Sequence, residues 1–265
     1  MNAPTAFLSP LALAALFCVS AAAEPSWHND RRLPLPAPGG GIAWDGEVLW
    51  FAAFDGQLFT VDPEDGASTR LGQVPLEAGR WCEGLAFVGG DPYLHVSAPP
   101  QLDAPDLILR LAPDDLRVKQ VLPYTDTVLA PAPPGGQGMT QDGWYLWTLN
   151  ASADAGLKAP FLTRIDPFVG VIQNTLPLPL LRHEAQGVAY ALTRRTFFVL
   201  CADGTLYRIP LGYADLDNEP TLGGLEVYAP PAGTAWSPED LAWDGSALWF
   251  ADTASRAIVR LRLRS

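Results

Sequence analysis

Glu83, Gln137, Gln186 and Glu239 stand at one place in four copies of a recurring phrase, and Gly40 holds that place in a fifth. Carboxylates and side-chain amides are the oxygen donors that calcium accepts in its flexible shell, and they also hydrogen-bond polar ligands. Two carboxylates facing each other repel unless a cation, a shared proton or ordered water lies between them. We therefore expect a polar ligand at these residues, or a divalent cation such as calcium held by Glu83 and Glu239. The alternative is that they are strand-end residues bonding backbone amides and water. Asn150 and Asp252 end the second apolar run of their repeats, in line with Ala53, Ala98 and Ala202, and join the candidate set. His183 beside Glu184 has the makings of a base, or of an ordinary solvated loop pair. Gly40 is expected to leave one side of the site open. There is no Cys/His zinc spacing, no phosphate-cradling glycine loop before a helix and no nucleophile elbow.

The elements that position these residues follow from the repeat itself. The phrase reads GIAWD at 41–45, GLAFV at 84–88, GMTQD at 138–142, GVAYA at 187–191 and DLAWD at 240–244. Its starts lie 43, 54, 49 and 53 residues apart, at or slightly above the span of a propeller blade. Each copy is followed by a second apolar run, at 48–52, 93–97, 145–149, 197–201 and 247–251, rich in aromatic and β-branched residues. Asp-Gly joins the two runs at 45–46, 142–143 and 244–245, a strong hairpin signal. A third strand follows in every unit. A fourth, Pro-bearing in three of the first four units, suits an outer edge. The fifth unit stops at Ser265 without a fourth strand, while 32–36 (RLPLP) has the outer-strand pattern and no repeat before it. The sequence predicts an all-β, five-bladed β-propeller with four-stranded antiparallel blades, the last completed by an N-terminal outer strand. The five innermost strands would line a channel and bring the equivalent positions into one ring. The recurring Trp44, Trp50, Trp147, Trp243 and Trp249 are expected to pack between blades; Trp81, Trp144 and Trp236 lie outside the strands and are expected at loops.

Composition narrows the class. The 265 residues are 48% hydrophobic, with 26 Pro and 24 Gly spread along the chain, and the net charge is −12. So acidic a chain is a poor partner for nucleic acid or anionic membranes. Residues 6–19 are mostly apolar and end in small residues at 20–23, which reads as a signal peptide over 1–23 despite the absence of Lys or Arg before it. Residues 24–265 then form a single propeller domain in the periplasm or outside the cell, with no membrane contact after cleavage. Cys82 and Cys201 remain in that domain. They fall in non-adjacent blades, so two free thiols are expected instead of a disulfide. We expect a monomer whose partner is a small polar molecule or peptide bound at the channel.

Residues 241–253 (LAWDGSALWFADT) followed by 256–261 (RAIVRL) resemble repeats of the NHL, gluconolactonase and streptogramin-lyase-like propellers. Residues 164–170 (RIDPFVG), then GVAY at 187–190, resemble the glutaminyl cyclotransferases, an exported five-bladed family. The first resemblance implies a cation-dependent lactonase or hydrolase, with Glu83 or Glu239 imitating the family's metal set beside Asn150 and Asp252. The second implies a glutaminyl-peptide cyclotransferase-like enzyme. The chain departs from that family where a Phe-Thr-Gln-Gly opening and a following Glu belong: it carries Trp81, Cys82, Glu83 and Gly84, then His95.

Overall fold

Three Asp-Gly hairpins are built alike. Asp45 accepts N–H bonds from Glu47 (2.8 Å) and Val48 (2.9 Å), and its second oxygen takes the Trp50 indole at 2.8 Å. Asp142 repeats this with Trp144, Tyr145 and the Trp147 indole, and Asp244 with Ser246, Ala247 and the Trp249 indole. The glycine after each Asp has positive φ, 113° at Gly46 for example, where a side chain would be strained. One carboxylate thus ties a turn to the aromatic residue five positions on.

The computed structural model describes residues 25–99, 104–124, 136–150, 160–179, 181, 183–213 and 220–264. The segment read as a signal peptide lies outside them. The first strand, β1 (Ser26–Pro34), precedes the repeats. Blade 1 is β2 (Gly39–Trp44), β3 (Leu49–Ala53), β4 (Gln57–Val61) and β5 (Ser68–Gln73). Blade 2 is β6 (Trp81–Val88), β7 (Asp91–Ser97), β8 (Asp106–Leu111) and β9 (Val118–Tyr124). Blade 3 is β10 (Gly136–Gln141), β11 (Leu146–Asn150), β12 (Phe161–Ile165) and β13 (Ile172–Pro177). Blade 4 is β14 (Ala185–Ala191), β15 (Thr196–Cys201) and β16 (Leu206–Tyr213), whose outer edge is shared by two short strands, β17 (Pro220–Leu222) and β18 (Glu226–Tyr228). Blade 5 is β19 (Pro238–Trp243), β20 (Leu248–Asp252) and β21 (Ala257–Arg264), with β1 outermost.

The expected closure is present. β1 pairs antiparallel with β21, Leu33 opposite Ile258 and Arg32 opposite Val259, and the pairing runs back to Ser26. In blade 1 the outer strand ends at Gln73, before Pro75, because Pro has no N–H for the ladder. Five apolar clusters fill the five blade interfaces. One packs Trp50 and Leu58 of blade 1 on Leu85 and Leu94 of blade 2; another packs Ile42 and Phe51 of blade 1 on Trp249 and Ile258 of blade 5. Trp147 and Trp249 are fully buried, as expected of core residues. Of the three tryptophans expected at loops, Trp144 is 80% exposed. Trp81 is instead the first residue of β6 and half-buried. Trp236 lies under Trp27, ring centroids 5.0 Å apart, because β1 covers it.

Candidate functional site at the channel mouth

Each innermost strand carries a β-bulge near its start. The pairing skips one residue between Gly39 and Gly41, Cys82 and Gly84, Gly136 and Gly138, and Ala185 and Gly187. It skips two between Pro238 and Leu241, opposite a single residue of β20. The extra residues are Gly40, Glu83, Gln137, Gln186 and Glu239 (with Asp240), so the ring read from the repeat coincides with five bulges. A bulge leaves its extra residue out of the ladder and re-aims its side chain. Gln186 is half-buried, and the Gln137 side chain lies outside the described residues.

Two of these residues form matching sites. In blade 2, the Ser97 hydroxyl donates to one Glu83 oxygen and the Trp81 indole to the other. In blade 5, the Thr253 hydroxyl lies 3.1 Å from Glu239, sharing its hydrogen-bonding with the Ser237 hydroxyl (2.9 Å) and the Ser237 carbonyl (3.1 Å). Ser97 and Thr253 each follow the second-strand residue that pairs just before the bulge, so the carboxylate–hydroxyl pair is a repeat feature used twice. Burial pushes the Glu239 carboxyl up to about 7; the Thr253 hydroxyl opposes the shift, and the charges of Glu83 and Asp252 reinforce it. Burial also raises Glu83, opposed by His95, Ser97 and Trp81 and reinforced by Asp106. Behind Glu83, His95 is fully buried, with Nε2 3.4 Å from Asp106. Burial disfavours its imidazolium, but the hydrogen bond and charge of Asp106, together with Glu83, carry its pKa above the ordinary value. Asp106 in turn accepts the Ala98 N–H at 2.8 Å. The mouth therefore holds two carboxyls of raised proton affinity, one backed by a buried His–Asp pair.

The register expected of the second strands and the opening expected at Gly40 need correction, and the remaining candidates are placed as follows. The second-strand ring is Ala53, Val96, Asn150, Cys201 and Asp252, not Ala98 and Ala202. Gly84 pairs with His95, the same spacing as Gly41 with Ala52 and Gly138 with Leu149, so the blade 2 run is used two residues earlier than its apolar pattern suggests; in blade 4 the 3-10 turn at Leu192–Arg194 lengthens the connection, and Gly187 pairs with Leu200. Gly40 does not open the mouth: a Cβ there would come within 3.1 Å of the Phe54 ring and of the Cys82 carbonyl. Asp252 is fully buried and committed to structure, accepting the Ser237 N–H (2.9 Å) and the Ser255 hydroxyl, with Arg32 of β1 3.7 Å away. Asn150 is buried and donates to Thr163 in its own blade at 3.4 Å. His183 sits 3.1 Å from Asp203 on the exposed rim of blade 4. Cys82 and Cys201 are both free and buried, and burial pushes each thiol up to about 12. Among the described residues no group of three or more His, Cys, Asp or Glu is arranged to hold a metal ion.

The repeat reading missed Asp240. It stands where the other four copies have Gly41, Gly84, Gly138 and Gly187, and it is fully buried on the axis just below the bulges. Its carboxyl accepts N–H bonds from Leu241 (2.8 Å), Leu85 (3.2 Å) and Ile42 (3.3 Å), and from Val188. The signal was in the sequence: one Asp at a position otherwise held by glycine. Beyond Asp240 the axis holds a cavity of about 60 Å3 lined by residues such as Ile42, Met139 and Tyr190.

No family model and no curated protein matches this chain in sequence. Solved structures align with it along most of its length at low identity. Glutaminyl cyclase of Myxococcus xanthus aligns over 91% of this chain and 97% of its own at 13% identity, with a TM-score of 0.63. A protein described as a putative oxidoreductase (glucose dehydrogenase), from Thermus thermophilus, aligns over 91% of this chain and 100% of its own at 10% identity, with a TM-score of 0.52. The propeller domain of Cps50 (Swd1) from Myceliophteria thermophila aligns over 89% and 99% at 10% identity, with a TM-score of 0.51. At these identities the likeness establishes the shared β-propeller fold of this chain.

Proposed function

We propose that the channel mouth binds a small polar molecule carrying a hydrogen-bond donor, an amine above all, between Glu83 and Glu239. The observation that carries this reading is the paired site: two carboxyls from different blades, each fixed by a hydroxyl, each raised by burial, and the two coupled in charge. An amine entering between them would supply the positive charge that relieves their repulsion. A divalent cation would do the same, but the Trp81 indole N–H and both hydroxyls already occupy carboxylate oxygens, which suits a proton or an ammonium better than a metal shell. On the signal-peptide reading, the ligand is met in the periplasm or outside the cell. Calorimetric titration with a panel of small amines and their alcohol isosteres tests this. Amines should bind the wild type more tightly, and Glu83→Gln with Glu239→Gln should remove the difference. Equal binding of amines and alcohols would refute the amine reading. A melting temperature lowered by chelator would favour the cation.

A second reading is supported by the likeness to a glutaminyl cyclase over 91% of the chain. Cyclising an N-terminal glutamine requires the α-amine to lose a proton as its nitrogen attacks the side-chain amide carbon, and the departing amide nitrogen to gain one, leaving as ammonia. A carboxyl with a pKa of about 7 beside a second carboxyl can take and return that proton near neutral pH. Incubation with a Gln-initiated peptide should then release ammonia and a pyroglutamyl product, and Glu239→Gln should abolish both. No product with the wild type would remove this reading and leave the binding reading standing.

A further inference from the structure

The innermost strand of each blade presents an unpaired edge to the axis, so its inward N–H groups have no ladder partner. Buried N–H groups must find an acceptor. Here four of them, from Ile42, Leu85, Val188 and Leu241 in blades 1, 2, 4 and 5, find the same one. Each belongs to the residue just after the Gly/Asp position of the repeat. Glycine at the other four positions is what brings the strands this close. A Cβ on Gly138 would lie 2.6 Å from Asp240 Oδ1; one on Gly187 would lie 2.8 Å from the Leu241 nitrogen, and one on Gly84 2.8 Å from the Met139 nitrogen. The axis admits one side chain, and that side chain is a carboxylate.

Every hydrogen bond described for this carboxyl comes from an N–H donor, and among the described residues no Lys, Arg or His pairs with it. Burial pushes the Asp240 carboxyl up, and the N–H bonds from Leu241, Ile42, Leu85 and Val188 oppose that shift; a neutral acid would need an acceptor for its own proton, and this ring offers donors. Converging main-chain N–H groups form an anion-binding concavity, as in backbone nests and oxyanion holes. We propose that the propeller axis is an anion-binding site built from main-chain N–H groups of four blades, that Asp240 is its resident anion, and that a small free carboxylate of formate size can take its place. The site is separate from the Glu83–Glu239 mouth. It has a consequence for that mouth: Asp240 closes the axis below it, so a ligand there enters and leaves on the same face.

Asp240→Ala keeps the Cβ and removes the carboxylate. Its melting temperature should fall by about 10 °C or more, since several buried N–H groups lose their acceptor together. Adding ~100 mM sodium formate should raise the melting temperature of Asp240→Ala by about 3 °C or more beyond its effect on the wild type, by mass action on the vacated ring. Sodium sulfate, too large for the space, should shift both proteins equally. Asp240→Asn, which places an amide donor among donors, should melt below the wild type and show no formate response. Should Asp240→Ala not fold, amide exchange in the wild type serves: the Ile42, Leu85, Val188 and Leu241 amides should exchange only through global unfolding. Wild-type melting of either variant, an Asp240→Ala loss that formate does not recover, or fast exchange of these amides would overturn the proposal.

Discussion

Removal of the Trp27 side chain should loosen two blades at once. Trp27 lies on β1, is 2% exposed, and packs against Trp236 at 5.0 Å and Phe250 at 5.9 Å between ring centroids. Its indole donates to the Gly204 carbonyl of blade 4 at 2.8 Å, and its own main-chain N–H donates to the Ala229 carbonyl at 3.2 Å. The N-terminal strand thus completes blade 5 and fastens it to blade 4. Truncating a buried Trp costs about 3–5 kcal/mol, and the abandoned Gly204 carbonyl adds about 1 kcal/mol. For a domain of this size each kcal/mol moves the melting temperature by roughly 2–4 °C, so Trp27→Ala should melt about 8–24 °C lower. Trp27→Phe keeps most of the packing and loses the hydrogen bond, so it should fall by only about 3–6 °C. Trp144→Ala, at an 80% exposed position, is the control and should be nearly silent. Thermal melts followed by far-UV circular dichroism decide the matter. A Trp27→Ala protein that melts within a degree or two of the wild type would refute the account of closure.

Two further outcomes follow from ionisation. Glu83, Glu239 and His95 all have raised pKa values, so the folded state holds their protons more tightly than the unfolded chain does. For Glu239 that stabilisation is complete below the ordinary 4.5 and is lost as pH rises through about 7; after discount for its partial exposure it is worth about 1–2 kcal/mol. Stability measured by urea unfolding should fall between pH 5 and 8, and a rise over that range would contradict the assignment. Cys82 and Cys201 should resist alkylation in the native protein and react in denaturant, both as free thiols; rapid native alkylation or a disulfide-linked species would contradict their burial.

Most of the blade count and the closure was legible because a propeller writes its fold as a period. GIAWD at 41–45 and DLAWD at 240–244, each with Asp-Gly at the turn, mark equivalent hairpins without ambiguity. The position of Glu83 and Glu239 was legible for the same reason, since equivalent residues of a closed repeat share one radius. Register was less so. Apolar runs align equally well when slid by two residues, and only the Gly89-Gly90 turn fixes His95, and not Ser97, opposite Gly84. The partners of the site were harder still. Ser97 and Thr253 could have been paired with their glutamates once the register was known, but Asp106 reaches His95 from a third strand with no repeat signal. Asp240 was visible as a break in the glycine column, and its meaning depends on four strands meeting at the axis.

Everything proposed for the mouth depends on Glu83 and Glu239 titrating as a coupled pair of protonatable carboxyls. Carbon-13 NMR of the Glu239 side-chain carboxyl, followed across pH in the wild type and in Glu83→Gln, measures this most directly. The wild-type midpoint should lie near about 7 and should fall once the Glu83 charge is removed. A Glu239 that titrates in the ordinary glutamate range, with the same midpoint in both proteins, would contradict it.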